Sequence, residues 1–216
     1  MKNENEILKY NMENSFLEIG KVIKDLENKT FKCSMDRYAQ QEILRFYSIA
    51  GTILDNFTSD SLSIDERNIT HPLLRSLLDG YIWLLYINWE SNKDTRLSRF
   101  NELMDGFKIE YNKLIEDPDF PRKDEIPSLP SDENWSELKK PRNTRDLLVA
   151  LKNDNGDRLD YQYFAFRIMS FDTHAKASGA LFTEAFGQKC NFAYIKPSKL
   201  INLIANYYLE VISKHL

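Results

Sequence analysis

The sequence predicts an all-α protein, built as one antiparallel bundle of about six to seven helices. Apolar residues recur at spacings of three and four along almost the whole chain, which is the period of an amphipathic helix. Glycine and proline, seven of each in 216 residues, stand mostly between these runs. A hydrophobic fraction of 42% is enough for one sizeable core, and the chain is short for two large domains. We therefore expect a single helical domain over residues 1–216.

Four helices are predicted in the first half of the chain. The first runs from Asn5 to Asn28. The second runs from Met35 to Phe57 with Ser34 as its N-cap, because a serine hydroxyl can accept a hydrogen bond from the free amides of the first turn. The stretch from Thr58 to Asn68 is predicted to be a loop because it is polar. After the third helix, the fourth spans Lys93 to Glu116.

The third helix is predicted to run from Leu73 to Trp89. Thr70 and His71 precede Pro72, and proline suits the first turn of a helix because the amide that it lacks would have no partner there. Beyond Asp79 the helix is apolar nearly all round, which is typical of a helix that passes through the middle of a bundle.

The second half opens with an irregular insertion at residues 117–141. It holds five of the seven prolines together with many acids and lysines, and we interpret it as a lid or a tether. Helices are then predicted at Arg142 to Leu151, at Leu159 to about Ala177, weakly between Gly179 and Gly187, and from Pro197 or Ser198 towards the C-terminus.

Composition narrows the class of protein. A net charge of -4 and a pI near 5.5 argue against a protein that coats nucleic acid. Cys33 and Cys190 are far apart, which indicates neither a disulfide framework nor a zinc site. No histidine and carboxylate cluster has ligand spacing, so we expect no metal and no cofactor, and the alternative left open is a magnesium site that carboxylates from separate helices assemble. Met1 to Glu6 lack the apolar core of a signal peptide, and the apolar run from Leu73 to Trp89 carries charges near its start. We expect a cytoplasmic protein with no membrane contact.

Arg167, Ser170 and His174 form the motif most suited to chemistry. Their spacings of three and four place them on one helix face. A histidine can act as base or acid near neutral pH, and a guanidinium can hold a phosphate and stabilise charge in the transition state. His71 is predicted at a helix start and His215 is next to last, so His174 is the histidine expected in a buried segment.

The same motif also fits a satisfied polar core. In that interpretation Arg167 pairs with an acid on a neighbouring helix, and His174 bonds a hydroxyl or a carbonyl. Asp172 falls off the motif face. We interpret the neighbouring tyrosines as core residues, with base stacking as the alternative: Tyr81, Tyr86, Tyr161 and Tyr163.

Arg75 and Asp79 make a second polar pair, four residues apart at the start of the apolar third helix. They form either an intrahelical bridge at its surface end or a shared cavity with Arg167 and His174. In the second arrangement, burial would shift the pKa values of these groups, as is typical of functional sites.

The motif resembles the signature of the HEPN superfamily, an arginine followed after four to six residues by a histidine on a late helix of an all-α domain. Six residues separate Arg167 from His174. The superfamily includes ribonuclease toxins and nucleases of antiviral defence. The resemblance implies metal-independent RNA cleavage by a homodimer in which two copies of the motif meet in a composite site.

A second resemblance spans about residues 36–212. A group of bacterial domains of unknown function has the pattern Arg-Ser-Leu-x-Glu and later Tyr-Arg-x-x-Ser-x-x-x-His. This chain is similar in His71-Pro-Leu-Leu-Arg75-Ser-Leu-Leu-Asp79 and in Phe166-Arg167-Ile-Met-Ser170-Phe-Asp-Thr-His174, with Asp79 in place of the usual glutamate. It implies that these polar residues gather in one interior site, which is compatible with a HEPN-like bundle.

The leading hypothesis is therefore a HEPN-like endoribonuclease of a bacterial toxin or antiphage defence system. Arg167, His174 and Ser170 would be its catalytic residues, and Arg75 and Asp79 its binding residues. Its expected partners are an RNA substrate, a second copy of the chain, and an antitoxin or defence-system protein. Two alternatives stay open: a non-catalytic interaction or sensing module in which the same residues are a buried network, and a small-ligand domain with the arginine as an anion anchor.

Overall fold

Eight α-helices make up the described part of the protein. The computed structural model describes residues 14–57, 64–117, 119, 135, 137–174 and 178–216. The helices are α1 (Ser15–Asn28), α2 (Ser34–Asn56), α3 (Ile64–Asn88), α4 (Lys93–Glu116), α5 (Thr144–Ala150), α6 (Tyr163–His174), α7 (Ser178–Phe186) and α8 (Pro197–His215). Within these ranges there is no strand, only an isolated bridge between Lys152 and Arg158. The predicted all-α helical bundle is confirmed.

The third helix lies at the centre of the bundle, as predicted. Leu74, Leu77, Ile82 and Ile87 of α3 are fully buried. The helix packs against α2, α4, α5, α6 and α8. A helix that is apolar nearly all round can be stable only where other helices surround it.

The start of α3 corrects the sequence prediction. Residues 64–68 were expected in a loop but belong to the helix, and Pro72 lies inside it. Thr70 is no cap, because its hydroxyl donates to the carbonyl of Glu66 at 2.8 Å within the same helix. Pro72 cannot donate the backbone hydrogen bond of a residue inside a helix, and a proline therefore normally interrupts one. Here Arg67 and His71, which precede the proline in the helix, both contact Asp172 of α6. These contacts between α3 and α6 favour continuation of the helix past the proline.

The other boundaries follow local signals closely. The bounds of α4 are the predicted ones, and the side chain of Asn92 caps it by accepting from the amides of Asp94 and Thr95 at 2.9 and 3.0 Å. The final helix begins at Pro197 as predicted. Ser34 is the first helical residue of α2 and not its N-cap, which is Cys33 without a side-chain bond. The predicted start of the first helix at Asn5 lies outside the described residues.

The segment that enters α5 is tied to α3 and α4. The Arg142 side chain donates to the hydroxyl of Tyr86, and that hydroxyl donates to Glu102 at 3.1 Å. The Arg142 amide also donates to Glu102 at 2.9 Å. Most of the insertion predicted at residues 117–141 precedes this anchor and lies outside the described residues. No helix in the described ranges has the length and apolar character needed to cross a membrane.

Candidate functional site

The candidate site is the seam between α3 and α6, which pack side by side. On α3, Arg67, His71 and Arg75 are spaced by four residues and therefore lie along one side of the helix. The α6 residues that meet them are Asp172 and Phe166. We call this set of five residues the α3–α6 seam.

Asp172 is the centre of the buried end of the seam. One of its carboxylate oxygens lies 2.5 Å from Nδ1 of His71 and 2.9 Å from Nη2 of Arg67. His71 is fully buried and Asp172 is 6% exposed. A carboxylate accepts hydrogen bonds, so the imidazole carries its proton on Nδ1 and donates it to Asp172. Such paired groups hold the last turns of α6 against α3.

The electrostatics of His71 favour the neutral imidazole. Burial lowers the pKa of His71 and the nearby Arg67 acts in the same direction, whereas the bond to Asp172 raises it by a smaller amount. A neutral ring with its proton on Nδ1 leaves Nε2 as an acceptor. That atom is buried and has no hydrogen-bond partner within the described part of the chain, as is also true of Nε of Arg67.

This end of the seam was missed by sequence reasoning. His71 was predicted at a helix start and is instead a fully buried residue in the helix, and Asp172 was noted only as lying off the motif face. The helical spacing of Arg67, His71 and Arg75 could have revealed the seam. Pro72 concealed it, because the proline was interpreted as the first turn of the helix.

At its other end the seam continues into a row of alternating guanidinium groups and aromatic rings, to which α6 adds Tyr163 and Arg167. The guanidinium of Arg75 lies 4.8 Å from the centre of the Phe166 ring. Phe166 stacks on Tyr163 with 5.9 Å between ring centres, and the guanidinium of Arg167 lies 5.8 Å from the Tyr163 ring. Cation–π contacts of this kind hold a guanidinium without neutralising its charge.

Arg75 and Asp79 do not form the ion pair that their spacing suggested. Among the described contacts there is no salt bridge between them, and Nε of Arg75 is buried without a hydrogen-bond partner. Asp79 instead accepts a long bond of 3.4 Å from the hydroxyl of Thr144, the first residue of α5. Burial raises the pKa of Asp79, and Arg75 lowers it by less. Arg75 therefore faces Phe166 on α6, while Asp79 faces α5.

The three motif residues all lie on α6, and the structure describes the side chains of two of them, Arg167 and Ser170. Arg167 is exposed, and its partner is the hydroxyl of Tyr163 at 3.4 Å. No acidic group in the described ranges forms an ion pair with it. The Ser170 hydroxyl donates to the carbonyl of Phe166 at 2.7 Å, a bond within the helix. His174 is the last residue of α6, and its side chain is outside what the structure describes.

The outer face of α6 carries exposed aromatic residues on both sides of Arg167. Phe164 is 61% exposed and Phe171 is 44% exposed. Asp172, the other charged side chain of α6 that the structure describes, is buried, so the charge on this face is positive.

The tyrosines predicted as core residues differ in burial. Tyr81 and Tyr86 are buried and Tyr163 is half-buried. Tyr161 is 65% exposed, so the prediction that it is a core residue was wrong.

A second polar cluster joins α2 to α3. Glu42, 7% exposed, accepts two bonds from the Arg45 guanidinium at 2.7 and 2.8 Å. Arg45 also donates to the hydroxyl and carbonyl of Ser76 at 3.0 and 3.1 Å. The groups satisfy one another, and we interpret the cluster as structural.

Two further features bear on ligands. A groove of about 720 Å³ runs along α4, and its lining mixes acidic residues such as Asp94 and Asp105 with Lys139 and Lys140. No group of three or more His, Cys, Asp or Glu side chains in the described ranges is arranged to hold a metal ion.

Comparison of this chain with protein-family models, with curated proteins and with solved structures gives no match.

Proposed function

We propose that this protein is a HEPN-like, metal-independent endoribonuclease of a bacterial toxin or antiphage defence system, active in the cytoplasm as a homodimer. One observation carries the proposal: Arg167 is exposed on α6 with a tyrosine hydroxyl, and no acid of the described residues, as its partner. As part of a buried structural network, an arginine of this motif would be expected in an ion pair with a neighbouring helix.

An arginine in this state is suited to holding a phosphate. Its planar guanidinium can donate two parallel bonds to phosphate oxygens, and its charge is not neutralised by a carboxylate. The contact with Tyr163 restricts the side chain at little electrostatic cost. The net charge of -4 does not oppose local binding, because the exposed face of α6 is itself positive.

Without a metal, the nucleophile available in RNA is the ribose 2′-hydroxyl. His174 of one subunit would take the proton from this hydroxyl as the O2′–P bond forms. The P–O5′ bond breaks, and the protonated His174 of the second subunit would give its proton to O5′. The products are a 2′,3′-cyclic phosphate and a 5′-hydroxyl, so protons and bonds balance. Arg167 would hold the phosphate and stabilise its growing negative charge.

The α3–α6 seam would hold the part of α6 that carries the catalytic residues in a fixed position. Asp172 joins α6 to α3 two residues before His174, so it restrains the last turn of the helix. Ser170 would orient the phosphate or the imidazole after releasing its bond to Phe166. Arg75 faces Phe166 on the inner side of α6 and Asp79 faces α5, so both lie away from the exposed side of Arg167. The binding role expected of these two residues is therefore not part of the proposal; they would support the helices around the motif.

The proposal is tested by inducible expression in a bacterial host, comparing wild type with Arg167→Ala and His174→Ala. Growth, total RNA integrity and the amount of soluble protein are followed in each strain. The matched controls are Arg145→Ala, an exposed arginine of α5, and His215→Ala. We expect growth arrest and RNA cleavage with wild type and both controls, and neither effect with the two motif variants at equal protein levels. RNA cleavage by purified His174→Ala at the wild-type rate would refute the proposal.

A second candidate is a non-catalytic interaction or sensing module. The observation that favours it is the buried network of Arg67, His71 and Asp172, which a purely structural protein would also need. In that case Arg167→Ala would change neither RNA nor growth, and a defence-system protein would be the partner to seek.

A further inference from the structure

We infer that the outer face of α6 binds single-stranded RNA with one unpaired base on each side of the phosphate held by Arg167, and that these bases stack on Phe164 and Phe171. The inference rests on the proposed function for the position of the phosphate, and it specifies the substrate class and two further binding residues.

The aromatic rings of α6 differ in their exposure to solvent. Phe164 and Phe171 are 61% and 44% exposed, whereas Phe166 and Ile168 between them are 8% and 7% exposed. The helix therefore buries one apolar face against α3 and presents two phenyl rings on the opposite face. Exposed apolar residues that share one face of an element can form a site of interaction, whereas single exposed ones are common on any surface.

The exposed side chains of α6 follow the order ring, cation, ring along the helix. Phe164 is three residues before Arg167 and Phe171 four after it, so all three lie on one face of the helix. Their Cα atoms are about 4.5 and 6 Å from that of Arg167 along the helix axis, at a rise of 1.5 Å per residue. A cation flanked by two aromatic rings matches one phosphate flanked by two bases.

The spacing selects an unstacked strand. The Cα atoms of Phe164 and Phe171 are about 10.5 Å apart along the axis, and neighbouring bases in a stacked strand are about 3.4 Å apart. Two adjacent bases can reach both rings only when they have separated from each other. Bases in a duplex are stacked and paired, so a duplex does not offer them.

One ring is also held in place before any ligand binds. The ring of Phe171 meets that of Phe192 edge to face, with 4.9 Å between ring centres and an angle of 86°. Phe192 lies in the segment between α7 and α8. A ring that is already oriented loses less entropy when a base stacks on it.

Charge favours RNA over a protein partner on this face. A partner helix that covered both phenyl rings would also cover Arg167, and it would have to bring a carboxylate to pair with the guanidinium. A nucleic acid strand supplies both kinds of group along its backbone: a phosphate for Arg167 and the neighbouring bases for the two phenyl rings. The competing possibility is that a second copy of the chain covers these rings, and the experiment below distinguishes the two.

The test is binding of a fluorescent 2′-O-methyl oligonucleotide by anisotropy, as a single strand and as a duplex of the same sequence. The methyl group blocks the 2′-hydroxyl, so binding is measured without cleavage. Wild type is compared with Phe164→Leu, Phe171→Leu and the matched control Phe107→Leu, which changes a 71% exposed phenylalanine of α4. Leucine keeps an apolar side chain and removes the aromatic face, so it weakens base stacking more than an apolar protein contact.

We expect the single strand to bind at least tenfold more tightly than the duplex. Phe164→Leu and Phe171→Leu are each expected to weaken binding of the single strand by about tenfold, within the range for loss of one stacked base, and Phe107→Leu by less than twofold. Equal binding of strand and duplex, equal losses in all three variants, or no binding by wild type would overturn the inference. So would unchanged RNA affinity accompanied by a change of oligomeric state in light scattering, because the face would then be a protein interface.

The two proposals fail separately in this design. If wild type binds the strand with the expected dependence on Phe164 and Phe171 but cleaves no RNA, the nuclease proposal fails and the binding inference stands. If cleavage depends on Arg167 and His174 but is unchanged by both phenylalanine substitutions, the nuclease proposal stands and the inference fails.

Discussion

Replacing Gly80 by alanine is expected to destabilise the protein, although the same change normally stabilises a helix. Gly80 lies inside α3, and a Cβ atom there would be 1.9 Å from Oε1 of Glu42 and 2.8 Å from Nη2 of Arg45. Real Cβ atoms keep about 3 Å or more from such neighbours. The added methyl group and the present Glu42–Arg45 pair therefore exclude each other.

The expected magnitude follows from two opposing effects. Alanine in a helix interior is favoured over glycine by about 1 kcal/mol. Against this, the carboxylate must move by about 1 Å or more, which breaks its two short bonds to Arg45; loss of a buried ion pair costs roughly 3–5 kcal/mol. The Arg45 side chain is 36% exposed, which favours the low end of that range. The net destabilisation is about 2 kcal/mol, or roughly 4–8 °C in Tm for a chain of this size.

Gly51→Ala is the matched control. Gly51 also lies inside a helix, α2, and a Cβ there would have Phe16 at 3.7 Å as its nearest neighbour, an ordinary contact. This variant is expected to gain up to about 1 kcal/mol, so the two alanine variants differ by about 3 kcal/mol in the free energy of unfolding. Urea unfolding with shared m values measures that difference.

A double-mutant cycle identifies the cause. In a Glu42→Ala background the closest atom is absent and only Nη2 of Arg45, 2.8 Å from the added Cβ, has to move, so adding Gly80→Ala is expected to cost much less than in the wild type. If Gly80→Ala proves as stable as Gly51→Ala in the wild-type background, the close packing of α3 on the Glu42–Arg45 pair is wrong. A loss that persists in the Glu42→Ala background would contradict the assigned cause.

The α3–α6 seam gives two further predictions. Burial lowers the pKa of His71 in the folded state below the ordinary value of about 6.5, so the unfolded chain binds more protons between the two pKa values. The contribution of His71 to stability is therefore present above about pH 6.5 and is lost as the pH falls through the folded-state pKa. The free energy of unfolding, measured between pH 5 and 8, is expected to rise with pH in the wild type and to rise less steeply in His71→Gln. An equally steep rise in the variant would contradict the buried, neutral state of His71. Asp172→Asn is expected to lower the free energy of unfolding by about 3 kcal/mol, because it leaves Arg67 and His71 buried without their carboxylate. The control Asp160→Asn weakens a partly exposed pair with Arg158 and is expected to cost less than about 1 kcal/mol. Equal losses of the two variants in urea unfolding would refute the special role of Asp172.

Several features of the fold could be predicted from the sequence because their causes are local. The bounds of α4 and the start of α8 depend on a cap, a proline and apolar residues at helical spacing, all within a few residues. The central position of α3 followed from its lack of a polar face beyond Asp79. The Arg-to-His motif was also visible, since spacing alone places Arg167 and His174 on one side of a helix.

Only the tertiary structure decided which polar residues are buried and which are exposed. His71 and Asp172 are 101 positions apart, and their contact requires the packing of α3 on α6, which also allows α3 to continue through Pro72. The same packing turns Phe166 inwards and leaves Arg167, its neighbour in sequence, on the surface. Helical periodicity fixes which residues share a face, but the neighbours available to bury that face determine whether it meets the core or the solvent.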